Sequence, residues 1–202
     1  MKTLLLTISI LTISLKTIAQ TDISKENFTF SYVKTKSGGR FLYTGSSHSF
    51  SVDVVSANIK KTEYPNYIQI NDHVVQSSII PLPESSLDLN ALTIDQQKET
   101  LDGYVDYELD YFKNDLKLNY QNLKKEWVTS NSKLWLVWYF DLPDLKNAGT
   151  TADETTKSQI YASTICFNQV LDLNTPLMQN DTYIKSNALI TQLMATLKLS
   201  NK

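Results

Sequence analysis

Reactive side chains are scarce in this chain. His48 and His73 are the only histidines, Cys166 is the only cysteine, and Arg40 is the only arginine beside eighteen lysines. The histidines show neither His-x-His nor His-x-x-x-His spacing, so no metal site is expected from them. Gly45-Ser46-Ser47-His48 puts serines next to a histidine. It lacks the second glycine of a nucleophile elbow and reads as a loop between strands. Cys166 sits in the apolar run Ile160 to Phe167, where burial raises a thiol pKa and suppresses the reactive thiolate, so a structural thiol is expected. A lone cysteine also excludes an internal disulfide. One arginine leaves almost no bidentate forks for phosphate, which argues against phosphorylated ligands. No catalytic residue and no cofactor follow from these residues.

The richest polar pattern falls on one amphipathic stretch. Asp95, Glu99, Asp102, Asp106 and Asp110 project to one side of a helix within about 80° of one another. Such a row could gather Ca²⁺, but a straight helix face cannot wrap a cation, so a solvated acidic face is expected. Beside it runs a row of aromatics, Tyr104, Tyr107 and Tyr111, directed roughly 100° to 160° from the centre of the apolar arc. Two readings stay open: these tyrosines form a contact patch for a partner, or a loop folds over them.

The elements that must carry these residues are marked by periodicity. Thr93 is an N-cap and Gln96 completes a capping box; Leu101, Val105, Leu109, Phe112 and Leu116 then share an arc of roughly 80° and form the core face. Gly103, inside this helix, suggests a close approach to a sheet. Ahead of it, Phe28 to Tyr32, Arg40 to Tyr43, Phe50 to Val54, Tyr67 to Ile70 and His73 to Ile80 read as strands. Turns are expected at Ser37-Gly38-Gly39 and Asn71-Asp72, and Pro81-Leu82-Pro83 ends the run. After the helix, Leu118 to Thr129 and Lys133 to Leu142 form a hairpin about Ser130-Asn131-Ser132.

The strand from Lys133 is apolar on both faces. Leu134, Leu136, Trp138 and Phe140 point one way and Trp135, Val137 and Tyr139 the other, so it needs cover on both sides and belongs inside a sheet. Asp144 to Lys157 reads as a polar loop. Gln159 to Phe167 and Val170 to Leu173 form a hairpin about Asn168-Gln169, stopped by Asn174-Thr175-Pro176. A closing helix from Thr182 buries Leu189, Ile190, Leu193, Met194 and Leu197.

The first 19 residues read as an export signal: Lys2, an apolar stretch from Leu4 to Leu15, and Thr17-Ile18-Ala19 before a cleavage point that leaves Gln20 first. That stretch is shorter than the roughly 20 apolar residues of a membrane span. Residues 20 to 202 make one domain. Loss of Lys2 and Lys16 leaves 17 basic against 21 acidic residues, and this acidic balance argues against nucleic acid and anionic membranes as partners.

The fold class is α+β: a central antiparallel sheet of about six to nine strands with a long middle helix and a C-terminal helix packed on it. The amphipathic helix ahead of the two-faced strand Lys133 to Phe140, and Val170-Leu171-Asp172-Leu173 followed by the helix at Leu189 to Leu197, resemble the PsbP-like fold. A proline and tryptophan common after that family's early strand have no match after Phe50 to Val54. The resemblance implies a sheet with helices against its faces, and binding rather than chemistry. The expected protein is an exported, non-enzymatic module of the periplasm or extracellular space that binds a protein, a peptide or an envelope component. Its alternatives are a hydrolase assembled from distant acids such as Asp53 and Glu126, and a carrier for a small apolar ligand.

Overall fold

A computed structural model of the 202-residue chain describes residues 26–82, 92–142, 156–178 and 181–201. The expected signal segment, Pro83 and most of the expected polar loop, 144–155, lie outside these residues. The elements are β1 (Thr29–Thr35), β2 (Gly38–Thr44), β3 (His48–Val55), β4 (Ile59–Lys61), β5 (Tyr67–Ile70), β6 (His73–Pro81), α1 (Ile94–Asn114), β7 (Gln121–Ser130), β8 (Lys133–Asp141), β9 (Thr156–Cys166), β10 (Gln169–Met178), α2 (Tyr183–Met194) and β11 (Lys198–Asn201). Seven strands form the central antiparallel sheet in the order β4-β5-β6-β10-β9-β8-β7; four more form a second sheet, β1-β2-β3-β11. The architecture is α+β, with the large sheet as its middle layer.

Each face of that sheet has its own core, because its inner strands are apolar on both sides. On one face Leu136, Trp138, Phe140, Tyr161, Ile165 and Val170 pack against Leu101, Val105, Leu109 and Phe112 of α1. On the other, Trp135, Val137, Ile160, Leu171 and Leu173 pack against Phe41, Phe50 and Val52 of the small sheet and Ile190, Leu193 and Met194 of α2. The two-faced strand β8 therefore has the cover it needs, with α1 over Trp138 and Phe140 and the small sheet and α2 over Trp135 and Val137. Tyr139, on the latter side, meets Tyr183 of α2 with ring centroids 4.6 Å apart.

Local chemistry explains most boundaries and corrects several. The capping box at Thr93 and Gln96 is formed, with both reciprocal bonds present. Asn131 and Ser132, at φ of 50° and 59°, make the tight β7–β8 turn. The β9–β10 turn falls one residue earlier than expected, at Phe167 and Asn168, since Cys166 pairs with Gln169 and Phe167 takes the positive φ. The β1–β2 turn likewise moves to Lys36 and Ser37, because Thr35 pairs with Gly38. Asn174-Thr175-Pro176 does not stop β10. Pairing with β6 ends at Asn174 while pairing with β9 runs on to Met178, so Pro176 lies where the strand has become an edge and needs no amide donor there. β7 starts at Gln121 rather than Leu118, and β9 starts at Thr156, within the segment expected to be loop. Gly103 marks no close approach: a Cβ there would meet nothing within 4 Å.

Candidate functional site

The helix α1 presents its tyrosines unequally. Tyr104 is buried, 8% exposed; Tyr107 is 62% exposed; Tyr111 is half-buried and packs beside Phe112 at 6.3 Å. The expected row is thus not one continuous outer patch. Tyr104 lies nearest the apolar arc, about 100° from its centre, and the sheet is broad enough to cover it. Asp102 and Asp106, on the helix flank above β7, both pair with Lys125, at 3.3 and 2.8 Å. Part of the acidic row is therefore a strap between α1 and the sheet edge. Among the described residues no group of three or more His, Cys, Asp or Glu side chains is arranged to hold a metal ion.

Beneath α1 the structure assembles a polar cluster that sequence reasoning missed. Asp172 of β10 is 1% exposed and Glu108 of α1 is 6% exposed. Ser163 of β9 donates to Asp172 Oδ1 at 2.5 Å and accepts from Trp138 Nε1 at 3.0 Å. One rung along the ladder, Asn174 donates to Gln76 at 2.8 Å. Ser78 pairs across from Asp172, and its buried hydroxyl has no partner among the described residues. Burial pushes the Glu108 carboxyl up to about 7. Burial, and then the neighbouring Glu108 charge, push Asp172 well above the carboxylate range against the opposing bonds from Ser163 and Asn174. Desolvation likewise raises Tyr104 and Tyr161. Chemically this is a proton-holding cluster, shut away from solvent. Both acids left a trace in the sequence: Glu108 lies only about 60° from the centre of the apolar arc, and Asp172 interrupts a run of apolar residues.

The remaining candidates have local structural work. Glu26 accepts from the Ser47 and His48 amides and from Ser46, and its second oxygen meets His48 Nδ1. Burial acts to raise its pKa, yet these bonds outweigh it and hold the carboxyl down to about 2. The Gly45 to His48 loop is therefore a cradle for a carboxylate of the same chain. His73 Nδ1 stands 3.9 Å from Asp181. Cys166 is fully buried, its thiol pushed up to about 12 by desolvation. Asp53 pairs with Arg40 and Lys198 in the small sheet, while Glu126 stands on β7 of the large one. The sheet aromatics pack on one another, as in the Trp138–Tyr161 stack at 4.0 Å and the Tyr43–Phe50 stack at 4.7 Å.

These features define a two-sheet α+β protein whose polar interior is closed and whose most exposed aromatic, Tyr107, lies on a strapped helix. Among solved structures, the chain is similar to the solution structure of cyanobacterial PsbP (CyanoP) from Synechocystis sp. PCC 6803, with 11% identity and a TM-score of 0.41 over 90% of this chain and 98% of that one. That likeness transfers no site or partner. No family model matches the chain, and no curated protein does. No helix among the described residues is long and apolar enough to cross a membrane.

Proposed function

We propose that this is an exported, non-enzymatic binding protein that meets a protein, peptide or envelope component through the outer side of α1, with Tyr107 at the centre and Tyr111 at its margin. The observation that carries this reading is the 62% exposure of Tyr107 on a helix fixed at its start by a capping box and along its flank by Lys125. A large ring held on a rigid element loses little entropy when a partner covers it. Tyr104 has no part in the contact, being committed to the core.

A photo-reactive phenylalanine analogue in place of Tyr107 tests this in the native cell. Irradiation should give a discrete covalent adduct that the same analogue at exposed Glu63 does not. Adducts of equal yield at both positions, or none at position 107, would remove the proposal. Tyr107→Ser should abolish capture while changing stability by no more than about 0.5 kcal/mol.

Export rests on Lys2, the apolar stretch to Leu15 and the small residues through Ala19. Produced with its leader in a bacterium, the protein should be recovered from envelope or medium with Gln20 first, as read by N-terminal mass analysis. An intact leader on cytosolic protein would show the reading to be wrong.

A further inference from the structure

The two sheets leave a mouth where their edge strands face each other, β1 on the small sheet and β4 on the large. The cleft there has a volume of about 560 Å³. Lys34 and Lys36 line it from the β1–β2 hairpin and Lys61 from β4, with Tyr32, Ser37 and Ser56 between them; among the described residues none that lines it is acidic. Three lysines thus border one opening of a chain whose overall balance is acidic. Such a charge focus attracts anions.

The cleft is built by specific backbone features. Gly38, at φ 147°, lets the hairpin press onto β3, where a Cβ would fall 2.1 Å from the Val54 carbonyl oxygen. The adjacent Ser37 carbonyl accepts from the Ser56 amide at 3.2 Å. At Gly39 a Cβ would lie 2.2 Å from the Tyr32 hydroxyl and 2.6 Å from its Cζ, so the missing side chain is the seat of the Tyr32 ring. That ring in turn carries Lys61, whose Nζ is 5.7 Å from the ring centroid.

From this placement we propose that the mouth between β1 and β4 is a binding site for a carboxylated carbohydrate. Lysines engage separate carboxylates as point charges, whereas a phosphate site favours the arginine fork that this cleft lacks. Hydroxyls at Ser37 and Tyr32, both in the lining, complement sugar hydroxyls. An acidic peptide laid along the seven-residue edge of β1 would meet the lysines but would leave the cleft's hydroxyls without sugar partners. This site is separate from the α1 surface, so either reading can fail without the other.

Calorimetric titration of the mature protein with oligogalacturonate provides the test. Binding should be saturable and should weaken strongly as ionic strength rises from about 0.05 to about 0.5 M. Replacing all three lysines, Lys34→Ser with Lys36→Ser and Lys61→Ser, should weaken it about tenfold, the scale for losing three exposed ion pairs, with an unchanged melting temperature. Lys185→Ser, on α2, should leave binding unaltered. Equal binding of dextran would overturn the role of charge, and equal binding of polyglutamate that of the sugar. Preference for a phosphomannan would overturn the choice of carboxylate. Absence of oligogalacturonate binding, or an unchanged triple variant, would overturn the site.

Discussion

At pH 8 the Glu108→Gln variant is expected to be more stable than the parent by about 3 kcal/mol, while below pH 4 the two should agree. In the unfolded chain this carboxyl ionises near 4.5; folded beneath α1 it keeps its proton to about 7. Folding therefore takes up a proton between those values. Stability falls as pH rises through the window, and the loss is complete above the folded pKa. Glutamine keeps the shape of the neutral acid and has no charge to desolvate. Asp172, raised for the same reason, adds a slope of the same sign that persists in the variant. Glu26, held down to about 2, acts oppositely and lower: its contribution is present above 4.5 and disappears as pH falls toward 2. Urea unfolding across this range measures the effect. A difference between variant and parent that does not change with pH would show that Glu108 is not buried against the sheet.

The second large effect belongs to Trp138→Ala, which should cost about 3 to 5 kcal/mol of a typical domain's 5 to 15. The indole is fully buried, stacks on Tyr161 at 4.0 Å with the planes 10° apart, and lies 6.3 Å from Phe112 of α1. It also supplies the donor to Ser163, so its loss opens a cavity beside a polar group that must find another partner. Trp127→Ala, at a half-buried site on edge strand β7, should cost clearly less. A cost below about 1 kcal/mol for Trp138→Ala, read from denaturant midpoints, would place the side chain outside the core.

How much of this was legible follows from which signals are local. The unbroken apolar run from Leu134 to Phe140 revealed a strand with two buried faces, and the Thr93 to Gln96 spacing revealed where α1 begins, because each depends on residues only a few positions apart. The small sheet was not legible as a separate layer. Its strands alternate like any others, and only pairing across the fold decides which sheet they join. Residues 59–61 and 198–201 are too short and polar for a periodic signal; they are strands because β5 and β3 offer them a ladder. The tyrosines on α1 were grouped by angle alone, which ranks directions but does not say how far the sheet reaches around the helix. The Asp172, Ser163 and Trp138 chain joins three strands and so has no signature in any one of them.

The pairing of residues 198–201 with 48–51 also sets the order of events in synthesis. Lys198 reaches back 145 positions to Asp53, a loop whose closure is entropically costly and slow to search. Until residue 198 has left the ribosome, β3 has only β2 beside it, and its other edge is an open template for a strand of another chain. The small sheet is therefore completed only once residue 198 is free to pair, and keeping chains apart in that interval protects the open edge of β3 from another chain.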